Sequence, residues 1–242
     1  ATDSAFPRDA HDLMQVFHIA QIHGARIGAG LQSRIRQNLR LMNREYLYST
    51  RARDLFFSIL GGKGEVGRVL RMMHECGFLG QYLPEFGRLD CLVQHEFYHR
   101  YTADEHTLLA CEKLDETLDA TAGVAATYSR LFQQLEHAHI LYLAILLHDT
   151  GKSSNESHHH EASAECAQGV ARRLCLDMES RRTLIWLVDH HMSMSSLAAR
   201  RDIEDPSTTE DFMKLVGTQE RLDMLHLLTF ADAQAVGSPQ WN

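Results

Sequence analysis

Ile140-Leu141-Tyr142-Leu143-Ala144-Ile145-Leu146-Leu147-His148-Asp149-Thr150-Gly151-Lys152 is the stretch that decides the fold. Its first eight residues are apolar without interruption, and their length and composition suit a buried helix. The run then closes on an imidazole beside a carboxylate. That pair makes a poor core and a good metal site. Where the buried helix ends, both groups are expected to be exposed at a fixed place. A polar group near a core needs a partner, and a divalent metal satisfies several such groups at once.

Working outward, the pair has company. His106 lies upstream, His158-His159-His160 just downstream, His190-His191 further on and Asp232 near the end. Sixteen histidines are present, and a lone one is most often a surface or satisfied core residue. The order of the clusters is what singles these out. A mixed imidazole and carboxylate shell suits Fe, Mn, Zn, Co or Ni and fits Ca or Mg poorly. Two ions roughly 3.5–4 Å apart could share one carboxylate, and Asp149 is the natural bridge. Such a site lowers the pKa of a bound water toward about 7 and so favours phosphoester cleavage. Lys152 could steady a phosphate oxygen, or it could be a solvated loop lysine. His190 and His191 point about 100° apart on a helix. Both can serve one region only near a helix end, which Ser193 and Met194 allow.

Composition narrows the class. The chain is long enough at 242 residues to bury a sizeable core. A net charge of −8 argues against general nucleic-acid binding, which needs a basic surface. No run of some eighteen apolar residues reads as a membrane span, and no secretory leader is legible. Cys76, Cys91, Cys111, Cys166 and Cys175 are odd in number and form no CxxC. They read as reduced thiols of a cytoplasmic protein. The opening residues, Ala1 to Phe6, lack a methionine and read as a piece of something longer.

The periodicity is helical almost throughout. Leu13, Val16, Phe17 and Ala20 form one stripe, stopped near Gly24; Leu31, Ile35, Leu39 and Met42 form a second. Residues 65–76 make a third helix, with Gly77 as its stop, and Pro84 breaks the next segment. Thr102 and Glu105 are spaced as a capping box that puts His106 in a first turn. Residues 117–129, small and polar, read as a loop. Further helices are expected at about 139–148, 159–175, 178–191, 208–216 and 219–236. No alternating strand pattern is visible. The expectation is therefore all-α, with an N-terminal helical region over 1–90 that carries no clustered metal-type residues. It should pack on a catalytic part over 91–242 that holds every candidate ligand.

The order His106, His148-Asp149, a downstream histidine, His190-His191 and Asp232 resembles the HD-domain superfamily of metal-dependent phosphohydrolases. Other segments look like the bifunctional uridylyltransferase/uridylyl-removing enzymes that act on PII signal proteins. They are Asn38-Leu39-Arg40-Leu41, Leu79 through Arg88, Gln94-His95 with Phe97 and His99, Tyr101 through Leu108, and Leu227 through Ala233. The resemblance implies the helical HD fold and hydrolysis of a tyrosine–uridylyl phosphodiester. Its nucleotidyltransferase and ligand-sensing parts are not matched, so the chain would be a central portion. It implies a first metal shell of His106, His148, Asp149 and Asp232, and a second ion served by His190 and His191. The family pattern of a histidine, three residues, a small residue and an alanine, met by His159 with Ser163-Ala164, implies His159 ahead of His160 as the remaining ligand. His95 and His99 match family histidines that could equally be a polar wall beside the pocket. Arg200 and Arg201 resemble a family segment that could hold a phosphate, or they are a surface charge pair. Trp186, Phe212 and Trp241 read as core. Ser153 through Ser157 replace a usual glycine-rich stretch, which leaves substrate preference open.

Two function classes follow. One is a phosphohydrolase with one or two divalent ions, acting on a nucleotidyl or other phosphodiester, with uridylylated PII-like protein as the implied partner. The other is a regulatory module that keeps the fold and docks such a partner without catalysis. Neither the metal nor the oligomeric state is written in the sequence.

Overall fold

The computed structural model describes residues 6–93, 101–153 and 159–236, with the side chains of His159 and His160 outside that set. Asp9 starts α1 (Ala10–Ile22), its carboxylate accepting the N–H groups of His11 and Asp12. The helix stops where Gly24 takes φ 56°, a conformation only glycine adopts freely. The second apolar stripe is carried by α2 (Ala29–Asn38) and a tighter turn, Leu39–Leu41. Asn43 and Ser49 cap α3 (Arg44–Leu47) and α4 (Thr50–Leu60). The third expected helix is α5 (Val66–Glu75), and Gly77 at φ 72° ends it. Next come α6 (Phe78–Tyr82) and α7 (Pro84–Gly87). Pro84 opens α7 in the first turn, where its missing N–H would have had no partner anyway.

The remainder comprises α8 (Ala103–Thr117), α9 (Gly123–Gln134), α10 (Ala138–Leu147), α11 (His159–Arg173), α12 (Met178–His190), α13 (Ser193–Arg200), α14 (Pro206–Val216) and α15 (Gln219–Ala235). Among the described residues no strand forms, and the fold is all-α. Every residue of α10 except His139 is buried, and α4, α8, α12 and α15 pack around it. The apolar run is thus the axis of the molecule. No helix among the described residues is long and apolar enough to cross a membrane.

Two local expectations fail. Residues 117–129 are not a loop: α9 begins at Gly123. Its stripe of Val124, Tyr128, Leu131 and Phe132 was hidden by the alanines, serine and threonine between. Thr102 does stand at the N-cap of α8, but its side chain makes no capping bond. Glu105 does not reach back either, because Arg71 of α5 holds it at 2.8 Å. A charged donor on a neighbouring helix outcompetes the local motif.

The contact between α5 and α8 is close and polar. Asp115 of α8 accepts the N–H groups of Gly64 at 2.9 Å and Gly67 at 2.6 Å, and the hydroxyl of Tyr142 from α10. Gly67 has no Cβ, and this lets the two backbones touch. A Cβ there would lie 2.6 Å from Glu112 N. Arg71 adds a two-pronged bond to Glu112, at 2.5 and 3.0 Å.

Candidate metal centre

Helix ends build this site. At the C-terminus of α10 the last carbonyls have no partner within the helix. The His148 ring takes one of them, Nδ1 donating to Ile145 O at 2.7 Å. The same device closes α12, where His191 Nδ1 donates to Val188 O at 2.7 Å. A carbonyl can only accept, so both rings carry a proton on Nδ1 and turn Nε2 inward, the nitrogen whose lone pair would be offered to a metal by the neutral ring. His106 comes from the first turn of α8 and Asp232 from the last turn of α15.

These groups converge. His106 Nε2 lies 2.8 Å from Asp232 Oδ1 and 4.0 Å from Asp149 Oδ2. His148 Nε2 lies 3.3 Å from Asp149 Oδ2 and 3.5 Å from Asp232 Oδ1. One ligand atom from each of His106, His148 and Asp232 falls within 4.8 Å of the others. The His191 ring sits against His148, centroids 5.2 Å apart. The expected exposure of the His-Asp pair is corrected: His148 is 2% and Asp149 4% exposed. Neighbouring helices close over the helix end, which the apolar run alone could not reveal.

The electrostatics are those of a cation site. His148 Nε2 is buried and makes no hydrogen bond, although two carboxylate oxygens stand near it. Burial opposes charge on this imidazole, but Asp149 and Asp232 outweigh burial and raise its pKa to about 10. Burial likewise works against the charge on Asp149, and His148 and Lys152 overcome it, holding the carboxyl below the usual range. Asp232 is held down by His106 and His148 in the same way, again against burial. His191 moves the other way, lowered by burial and by the charge on His148. A buried imidazole nitrogen that faces two ionised carboxylates without a hydrogen bond, with further imidazoles beside it, is a donor set that fits a divalent transition metal.

The other candidates are placed as follows. Lys152 Nζ lies 2.6 Å from Asp149 Oδ2, so it stands beside the expected bridge. His190 turns away from His191: its Nδ1 is 3.0 Å from Trp186 O and its ring stacks on Trp186 at 4.8 Å. Arg221 lies over the same indole at 5.2 Å. Arg200 ends α13, and both Arg200 and Arg201 are exposed. Among the described residues neither bonds to the cluster. His159 opens α11, while its side chain and that of His160 lie outside the described set, as do His95, His99 and Trp241.

The expectation that residues 1–90 hold no clustered metal-type residues is also corrected. His74 Nε2 of α5 lies 3.2 Å from Asp104 Oδ2 of α8, and Asp90 joins them within 4.8 Å. Nothing in the spacing of 74, 90 and 104 signals this, because three separate elements bring them together.

Residues 106–233 match the family model described as the HD domain. Residues 1–82 match the model described as the third domain of uridylyltransferase GlnD. The chain is 37% identical over 242 residues to a bifunctional uridylyltransferase/uridylyl-removing enzyme of Cereibacter sphaeroides, covering 98% of this chain and 26% of that protein. It is 35% identical over 242 residues to the enzyme of the same description from Azospirillum brasilense, covering 100% and 26%. The chain therefore spans about a quarter of the length of these relatives.

Proposed function

We propose, on the footing that the chain belongs to the HD-domain family, that it is a metal-dependent phosphohydrolase that removes a uridylyl group from a PII-type signal protein. The two relatives bear the name of uridylyl-removing enzymes, which supports the substrate class. The observation that carries the reading is the buried, unbonded His148 Nε2 between two ionised carboxylates.

His106, His148, Asp149 and Asp232 would hold a divalent ion of the Fe, Mn, Zn, Co or Ni class. His191 and His159 would complete the shell, and His190 is the remaining candidate. When bound, the ion supplies Lewis acidity toward a phosphoryl oxygen and an acidified water to attack phosphorus. The chain's own residues do the rest. The carbonyls of Ile145 and Val188 fix two imidazoles in the ligating tautomer. Lys152 keeps a positive charge beside Asp149, where the charge of a phosphodiester would gather. Arg200 and Arg201, exposed at the end of α13, are proposed to meet the nucleotide or its phosphate. Residues 1–90 serve as an N-terminal helical region packed on the catalytic part, 91–242, and the whole is assigned to the cytoplasm.

The experiment combines elemental analysis of the purified chain with hydrolysis of bis-p-nitrophenyl phosphate and of uridylylated PII in added Mn²⁺. Wild type is expected to carry metal and to turn over both substrates. Asp149→Ala is expected to lose ions and activity together while the far-ultraviolet circular dichroism stays helical. An Asp149→Ala chain with wild-type turnover would refute the mechanism. Bound metal without hydrolysis would favour a regulatory module.

A further inference from the structure

We propose that His74, Asp90 and Asp104 form a second divalent-cation site, separate from the centre at His148, that takes a first-row transition ion such as Zn²⁺ or Mn²⁺. The three come from α5, from the segment after α7 and from the first turn of α8. One ligand atom of each lies within 4.8 Å of the others. Asp104 is only 3% exposed. Its Oδ2 lies 3.2 Å from His74 Nε2, and its Oδ1 is buried and accepts no hydrogen bond. A buried carboxylate oxygen with nothing to accept is costly, and an ion removes that cost. The edge of the His74 ring is set against Phe86, centroids 5.7 Å apart, which orients the imidazole.

The site has an entrance. Asp90 is exposed, and with His74 it lines an open groove of about 520 Å³. Water can fill the remaining coordination positions from that side. The donor set chooses the ion class: one imidazole with two carboxylates suits Zn²⁺, Mn²⁺, Co²⁺ or Fe²⁺. Ca²⁺ wants six to eight oxygens, more than these residues offer.

This is not the second ion of a two-ion centre. Asp104 and His106 are two residues apart on one helix, hence about 200° apart around its axis. Asp104 faces α5 while His106 faces the ends of α10 and α15. An ion held by Asp104 would tie the first part of the chain to the very turn that presents His106.

The test uses the full chain, stripped with a chelator, reloaded with Zn²⁺ or Mn²⁺ and counted by elemental analysis. Asp90→Asn changes an exposed side chain and leaves packing intact. It is expected to lower the count by one ion per chain while Mn²⁺-dependent hydrolysis continues. His74→Gln should do the same. In a His148→Ala background, which disables the other centre, one ion should remain bound, and adding Asp90→Asn should weaken its binding at least tenfold. Counts equal to wild type in both Asp90→Asn and His74→Gln would overturn the proposal and leave His74 and Asp104 as an ion pair. Loss of hydrolysis in His148→Ala with this ion still counted would show the two centres to be independent.

Discussion

Gly67→Ala is the substitution whose outcome the structure defines most sharply. The added Cβ would stand 2.6 Å from Glu112 N, 2.7 Å from its Cα and 2.8 Å from Cys111 C. These are backbone atoms and cannot rotate away. Optimal carbon separations are about 3.5–4.0 Å, so α5 and α8 must part by roughly 1 Å. Overpacking of this kind costs about 1–3 kcal/mol, and with no rotamer to absorb it the upper figure applies. Alanine returns about 1 kcal/mol of helix propensity. The net loss is therefore about 2 kcal/mol, which for a chain of this size lowers Tm by roughly 4–8 °C. His106 lies six residues before Glu112, about 9 Å along the same axis. A shift of α8 therefore carries it away from His148 and Asp232. Misplacement by 1 Å in a reacting constellation can cost on the order of 10² in rate. The assays are thermal unfolding by circular dichroism and Mn²⁺-dependent hydrolysis. Gly169→Ala on α11 is the control, because a Cβ there meets nothing within 4 Å, and it should raise stability by up to about 1 kcal/mol. If Gly67→Ala melts at or above the wild-type temperature, the close-crossing argument is wrong.

Asp115 gives a pH signature. Burial lifts its carboxyl pKa to about 6 from 3.8, against the opposing bonds from Tyr142, Gly67 and Gly64. The folded state therefore keeps the proton longer than the unfolded chain does. This contribution is full below the unfolded value and is lost as pH rises through the folded one, about 3 kcal/mol in all. Chemical denaturation of wild type and Asp115→Asn should show the wild-type advantage shrinking by that amount between about pH 4 and pH 7, whereas a pH-independent difference would contradict it. His191→Ala should weaken Mn²⁺ binding about tenfold or more, and His190→Ala by a few-fold at most, since only His191 faces His148; equal losses measured by calorimetry would show that the ring orientations mislead. Tyr142→Phe removes the hydroxyl that Asp115 accepts and should cost about 1.5–3 kcal/mol in urea unfolding, and no loss would remove that bond from the account of the core.

The fold was legible because its main signals are local. The eight-residue apolar run could only be a buried helix, and Gly24 and Gly77 stop helices by the backbone angle they take. The convergence of His106, His148 and Asp232 was legible only through the order of the ligand residues, since they are separated by up to 126 positions. What escaped was decided by partners distant in sequence. Glu105 abandoned its capping role because Arg71 stands opposite. His190 and His191, alike in sequence, parted because the indole of Trp186 waits one turn back for the first. The helix α9 was missed because small residues diluted its stripe. No spacing rule could have joined His74, Asp90 and Asp104.

The carboxylate of Asp115 bears on how such chains can be exchanged between relatives. Its three donors come from both sides of any line drawn near residue 82 or 90. Two are glycine amides of the first part, and the third is the hydroxyl of the central helix of the second. A chimera that took its first part from a relative without glycine at 67 would bring a methyl group against α8 and push the amide that Asp115 accepts away from it. One that took its second part from a relative without Tyr142 would leave the same carboxylate short. The inheritable unit thus includes both parts: a matched set of Gly64, Gly67, Asp115 and Tyr142 has to travel together.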